Sequence, residues 1–577
     1  MATRRPATYP PRAMSSGLRH RGRAPDHLSA TTSGAADTSA AKGETAIWHR
    51  GPAFGRRGAG RTALLLSIVA ALAIALAFAV AYGQAPLYTG DQHASLLRGL
   101  AQAGAGLLEL DWQARTTDPT PIASLVVAAT QALGAQWLML VLHAVLVGAY
   151  GLALFGLATK VCGVARGPQR LVLLAALVFV HSWLAGEIGL GLPQDLRSLA
   201  TGGVAGQSAA AATFGPSLFG VLLVVSLLAY AHGRSLAAIG LAAAAAVLNP
   251  AYLLCALVLS GAYLADTVVN TGARRTIVSG AALAVAALTP VVLYLLVAFT
   301  PVAPSLHEAA QDVLVDFVLP QHAKPEVWFG LDDGIRLGIV AVGLVLAWRS
   351  PLFPVLALAV TAGAVLTALA LITSSETLAL LFPWRLSVVL VPVATAIVLA
   401  TAVQAVFAFG RGVERLVGRY SDGPPAGLVT VGRTLAYVLA GLVIGVSLVI
   451  GIDRLEHLDP EPRASALGRL VAAERLPGDL YLVPPRPTEL RLDGGVPVYV
   501  DLLAHPYEDR EVLEWRRRLD EVARVYPGGT LRCRPLASLV RGASISHVVV
   551  ESPTRARCRF LRRAYAVGRY SVFTVTR

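Results

Sequence analysis

The chain has 577 residues, of which 55% are hydrophobic and only 15% charged, and it carries a formal net charge of +14 with a mean hydropathy of +0.61. A soluble domain carries about 25% charged residues, and here the apolar excess falls in blocks of roughly 14 to 25 residues, the length that crosses about 30 Å of hydrocarbon. One large soluble core is therefore excluded, and the basic balance reads as inward-facing loops beside anionic lipid, not as nucleic-acid binding.

Residues 1–61 are rich in Arg, Ser, Pro, Gly and Ala without apolar periodicity, so they are expected to be disordered. They are too long and polar for the start of an ordinary cleaved signal peptide, and Thr62–Tyr82 is read as a retained first span. Further spans are expected at Trp137–Thr159, Leu171–Glu187, Ser217–Ala231, Ser235–Leu248, Ala251–Ala265, Thr276–Phe299, Arg336–Trp348, Pro351–Ile372, Leu386–Phe409 and Thr434–Ile452. The fold class is mainly α, a polytopic protein of about 11 transmembrane helices.

Charge sets the orientation. The first 61 residues hold eleven Lys/Arg against three acids. Lys160, Arg166, Arg170, Arg234, Arg274, Arg275, Arg349, Arg411, Arg415, Arg419 and Arg433 fall in alternate loops with them. The remaining loops hold about thirteen acids against roughly six bases, which places the N-terminus in the cytoplasm and the C-terminus outside. Loops 83–121, 188–216, 300–335 and 373–385 then face outward.

The composition changes at Asp453. Asp479–Pro484, Val496–Asp501, Ser546–Glu551 and Tyr570–Val575 read as short strands. Glu508–Tyr526 reads as an amphipathic helix with Val512, Trp515, Leu519 and Val522 on one face. The expected organisation is thus a cytoplasmic tail (1–61), a transmembrane domain (62–452) with outward loop 83–121, and a small extracytoplasmic α/β domain (453–577). Cys533 and Cys558 both fall in that domain, where an oxidising exterior favours a disulfide over two free thiols.

The chemistry-bearing residues lie in the outward loops. Asp91, after Gly90, suits a general base or metal ligand, or equally a cap on the helix that follows. Asp111 is a second acid or a solvated one, and Trp112 beside it suits an interfacial anchor. Asp118 reads as a turn residue. His181 and Glu187 lie near the outer end of the third span, and Asp195 and Arg197 could pair with each other. His322 and Lys324 sit in an outer loop. Arg385 sits at a span mouth, where a guanidinium clamps a phosphate or reaches for lipid headgroups. No Walker loop, dinucleotide glycine fingerprint, HExxH or nucleophile elbow occurs, which argues against an ATP-driven pump, a zinc protease and a serine hydrolase.

The long first outer loop with Gly90-Asp91-Gln92, the span count and the outward C-terminal domain resemble the GT-C superfamily of membrane glycosyltransferases. The segments Leu110-Asp111-Trp112, Phe382-Pro383-Trp384-Arg385, Pro497 to Asp501, His505-Pro506-Tyr507 and Glu511 to Trp515 are similar to those of an uncharacterised family of bacterial multi-span proteins, over most of residues 62–577. The resemblance implies an enzyme of cell-envelope glycan assembly that uses a polyprenyl-phosphate-linked sugar and a loop-one carboxylate, sometimes with a divalent metal. It implies Asp91 and Asp111 as catalytic acids, and Arg385, His322, Lys324 and Trp112 as substrate-binding groups. The paired acids common in loop one of such enzymes are absent, as is the Trp-Trp-Asp-Tyr-Gly signature of the oligosaccharyltransferase catalytic subunit. A non-catalytic envelope or lipid-handling protein, or a transporter, is the alternative.

Overall fold

A computed structural model describes residues 61–165, 167–189, 194–420, 426–458, 465–484, 490–552 and 558–576. The expectation for residues 1–60 lies outside them. Residues Leu66–Arg577 fall in one compact unit, and of the residues before it only the first of a helix, 61–65, are described.

Every expected span coincides with a helix. Among the described residues, seven helices are long and apolar enough to cross a membrane: Thr62–Tyr82, Trp137–Val161, Pro250–Asn270, Arg274–Ala298, Phe353–Thr373, Glu376–Val413 and Thr430–Glu456. Gly167–His181, Pro216–Ala231 and Ser235–Leu248 are apolar but shorter, as is Pro121–Ala132, which the reading of the sequence did not include. Leu331–Leu346 is also helical, with Asp332, Asp333 and Arg336 in its first turns. The protein is therefore a multi-pass membrane protein.

Small residues set how closely these helices approach, as expected where lipid supplies no hydrophobic drive between them. A Cβ on Gly151 would lie 2.1 Å from the Phe78 ring, and one on Gly451 would lie 2.1 Å from the Val80 carbonyl. The first helix thereby contacts two others, while Leu66, Leu72 and Leu76 stay about two-thirds exposed on its opposite side, facing lipid.

The C-terminal region holds a four-stranded sheet. Its strands are β1 (Tyr481–Leu482), β2 (His547–Glu551), β3 (Leu561–Val567) and β4 (Tyr570–Val575), in the order β1-β2-β4-β3. β1 pairs parallel with β2, and β4 runs antiparallel to both β2 and β3. Helix Asp509–Val525 buries Val512, Trp515, Leu519 and Val522, as its spacing predicts. Of the expected strand at Val496–Asp501 only a single bridge forms, between Tyr481 and Val498. The Val498 amide is taken instead by the Asp111 carboxylate of the first loop. β3 escaped the sequence reading because its Arg-Arg run does not alternate as a half-buried strand would.

The loops read as lying on one side do come together with this region. The Thr117 amide donates to Glu511, His307 reaches Asp509 at 3.0 Å, and Gln311 donates to Thr377. Gly106 and Gly495, both with positive φ, cross where a Cβ on Gly106 would meet the Gly495 carbonyl at 2.4 Å, and the Leu107 amide donates to that carbonyl.

Candidate functional site

Two groups of polar residues occupy the seam between the loops and the C-terminal region, and they differ in kind. The first is a sealed clasp. Asp111 has no exposed surface, and its Oδ2 lies 3.0 Å from Arg491 Nε and accepts the Val498 amide. Its Oδ1 accepts the amides of Gln113 and Ala114. Arg491, 1% exposed, also meets Asp501 at 2.7 Å, and Gln113 links Asp501 and Ala504 to the loop. Burial pushes the Asp111 carboxyl up and the Arg491 guanidinium pulls it back. A carboxylate with both oxygens engaged and no access to solvent cannot meet a substrate, so Asp111 is corrected from catalytic acid to structural anchor.

Trp112 follows it into the same seam. Its ring lies under the Arg518 guanidinium at 4.2 Å and packs at the edge of the C-terminal core, so it is neither a membrane anchor nor a substrate platform. Asp118 accepts the Thr120 amide, the turn role expected of it.

The second group is open. Asp91 is exposed at the start of the short helix Gln92–Ser95 and makes no capping hydrogen bond, so the capping alternative is not realised. Gln92 behind it is buried and fixes the turn, donating to the Phe214 carbonyl and accepting the Thr89 amide. Asp91 and Arg385 both lie close enough to His322 to act on its titration, the carboxylate raising it and the guanidinium lowering it, while burial holds it below the ordinary histidine value overall. His322 Nδ1 meets the Ala205 carbonyl at 2.8 Å. Because a carbonyl only accepts, Nδ1 carries the proton of the neutral ring and Nε2 is left as an acceptor.

Arg385 is braced by the Gln207 side-chain carbonyl at 3.1 Å and the Ala251 carbonyl at 3.2 Å, with its guanidinium 4.7 Å from the Phe382 ring centre. It makes no ion pair among the described residues. Arg98, 7% exposed, donates to the Thr116 carbonyl and hydroxyl and likewise has no ion pair there. Burial holds the Tyr507 hydroxyl above its ordinary range, against the pull of the Arg385 and Arg98 guanidiniums nearby. His505 lies beside Tyr507, Nε2 to Oη 3.0 Å, and burial pushes it down to about 4, with Arg98 and His322 pressing the same way. The face thus presents the Asp91 carboxylate, two imidazoles held neutral by burial, and the guanidiniums of Arg385 and Arg98, the second within reach of the Asp118 and Glu511 carboxylates.

Lys324 turns away from it, into an ion pair with Asp316. Asp91, His322 and Arg385, from three loops, are thus brought together, whereas Asp111, Trp112 and Lys324 are not. Arg98, His505 and Tyr507 were not singled out from the sequence. The His505-Pro506-Tyr507 string just before an amphipathic helix was the available signal. Among the described residues no group of three or more His, Cys, Asp and Glu side chains is placed to hold a metal, so no step is routed through one. His181 is buried against Tyr150, Glu187 accepts from Trp183, and Asp195 caps helix Leu196–Thr201 instead of pairing with Arg197.

The family model described as a domain of unknown function, DUF6798, matches residues 465–522, the stretch that supplies Arg491, Asp501, His505 and Tyr507. No curated protein matches the chain significantly. Among solved structures, apo ArnT from Cupriavidus metallidurans is 14% identical at a TM-score of 0.44, with 89% of this chain and 98% of that chain covered. ArnT from the same organism bound to undecaprenyl phosphate is 14% identical at a TM-score of 0.37, with 89% and 97% covered.

Proposed function

We propose that this chain is a GT-C-like membrane glycosyltransferase that draws its sugar from a polyprenyl phosphate and acts in cell-envelope glycan assembly. The observation that carries the reading is an uncommitted carboxylate, Asp91, and a guanidinium without an ion pair among the described residues, Arg385, both close to His322, with a second guanidinium, Arg98, near Tyr507. In this reading the acceptor hydroxyl attacks the anomeric carbon of the lipid-linked sugar and gives its proton to Asp91. The bond from that carbon to the phosphate oxygen breaks, and the charge left on the lipid phosphate is held by the two guanidiniums. His322, whose Nε2 accepts, belongs on the hydroxyl side and not in the phosphate clamp. The charge bias of the loops supports a face outside the cytoplasm, with the apolar helix faces toward membrane lipid.

The experiment is transfer from a polyprenyl-phosphate sugar in proteoliposomes by Asp91→Asn. Loss of a general base typically costs 10²–10⁴-fold, roughly, so transfer falls at least about a hundredfold. Unchanged transfer sinks the mechanism. A second reading, a non-catalytic lipid-handling protein, is favoured by the withdrawal of Asp111 into the clasp, which leaves Asp91 without an acidic partner. It requires binding of polyprenyl phosphate with no transfer by the wild-type chain.

A further inference from the structure

A cavity of about 380 Å³ is lined by Gly202, Gly206 and Gln207, next to Ala205, whose carbonyl meets His322. That volume is in the range of small-molecule sites. Ala205 stands in the left-handed region at φ 60°, a conformation costly for a residue with a side chain. It is held from both directions: its amide donates to Asp333 and its carbonyl accepts from His322. Asp333 in turn pairs with Arg336, which lines the cavity.

Two buried donors of the lining have no partner among the described residues. They are Arg336 Nε and Gln207 Nε2, on residues 2% and 8% exposed. Gln207 faces both ways, since its Oε1 accepts from Arg385 while its Nε2 is unmatched. Arg197 lies over the Tyr82 ring and makes no ion pair among the described residues, and Glu187 accepts only from Trp183 among them. Buried donors are rarely left unmatched, so the cavity contents must supply acceptors.

We infer that this cavity is a second binding site, for an uncharged saccharide ring, bordered by the Gly203–Gln207 turn and joined to the Asp91 face through Gln207. The lining selects the ligand class. An apolar ligand strands the two donors. A phosphate meets Glu187 and Asp195 as well as Arg197 and Arg336, so the cationic lining is offset. A ring of hydroxyls both accepts from Arg336 Nε and Gln207 Nε2 and donates to Glu187. A saccharide seated there contacts the residue that braces Arg385, so its presence is felt at the guanidinium. The inference deepens the transferase reading, resting on it for the biological source of the saccharide, but not for the binding itself.

The test is saturation-transfer NMR on the purified full-length protein in detergent, with free glucose, mannose and arabinose as probes and inorganic phosphate as competitor. Saturable binding of at least one sugar is expected, unchanged by phosphate. It weakens about tenfold in Arg336→Lys, which keeps a cation for Asp333 but lacks Nε, and by a similar factor in Glu187→Gln at the exposed rim. If Arg336→Lys does not fold, Glu187→Gln carries the test alone. Asp91→Asn leaves sugar binding unchanged, so failure of the transfer mechanism and failure of this inference are separate results. No saturable binding of any of the three sugars means a cavity filled by water only and overturns the proposal, as does displacement of sugar by phosphate.

Discussion

Asp111→Asn separates the two readings of the first loop. In the clasp, Asp111 is the carboxylate on Arg491 Nε, and its two oxygens also serve the amides of Val498, Gln113 and Ala114. The asparagine keeps the shape but removes the charge, and one of its two atoms becomes a donor facing either the guanidinium or a backbone N–H. Arg491 is 1% exposed and retains only Asp501 as a counter-charge. Breaking one side of a buried ion pair typically costs about 3–5 kcal/mol, and the surviving Asp501 contact places this case at the lower end, about 3 kcal/mol. The assay is thermal or denaturant unfolding of the purified protein, with limited proteolysis at the seam between the loop and the C-terminal region. The double variant Asp111→Asn with Arg491→Met should recover part of the loss, because the stranded charge is gone, and the coupling between the two sites should be at least about 1 kcal/mol. Full stability in Asp111→Asn with abolished sugar transfer would refute the structural assignment and return Asp111 to the reacting groups.

Arg385→Gln removes a guanidinium from the open face without disturbing the clasp. Binding of polyprenyl phosphate, read by tryptophan quenching or a lipid pull-down, should weaken at least about tenfold, since hydrogen bonds to charged groups contribute about 1.5–3 kcal/mol. Equal binding removes Arg385 from the phosphate site. His505 is held at about 4, below the value near 6.5 of the unfolded chain. The neutral ring therefore contributes its full stabilisation above about pH 6.5, and that contribution, up to about 3 kcal/mol, is lost as pH falls toward 4. Unfolding of His505→Asn should lack this component of the pH profile, and a parallel profile would contradict it. Cys533 and Cys558 form a disulfide that spans 25 residues. Chain-entropy arguments give such a closure about 3 kcal/mol, so Cys558→Ser should raise hydrogen exchange in helix Cys533–Ala543 and leave the spans unchanged. Exchange identical to wild type in that helix would contradict the expectation.

Much of the architecture was legible because membrane spans announce themselves one at a time. Ser235–Leu248 is bounded as its composition predicts, and Thr276–Phe299 differs from the observed helix by no more than a turn. Span length and the placement of arginine in alternate loops are local properties of the chain. Asp91 and Arg385 were legible for the same reason, since each is a polar residue close to the end of an apolar block, and His322 as a titratable residue in an outer loop. Asp111 looked identical by that criterion, and its fate depends on Arg491, Val498 and Asp501. Gln113 and Asp501 hydrogen-bond across 388 residues, and no local pattern reports such a partner. Arg98 was hidden in the same way: its brace, Thr116, is near in sequence, but Tyr507, which lies near it in space, is not.

The contrast between the two arginine sites carries the functional argument furthest. Arg491 is buried and answered by two carboxylates, the arrangement expected when a charge serves structure. Arg98 is nearly as buried, and burial works against its charge, yet its hydrogen bonds go to the neutral oxygens of Thr116, with Asp118 and Glu511 acting on it from farther away. Arg385 is answered by an amide oxygen and a carbonyl. The same fold thus ties one guanidinium to two carboxylates and leaves Arg385 without an ion pair among the described residues. An uncompensated cation is destabilising in the free protein, and an anion arriving beside it relieves that cost on binding. An anionic group carried on a lipid meets this condition at the loop end of the spans, with Asp91 set apart to take a proton where no second carboxylate competes for it.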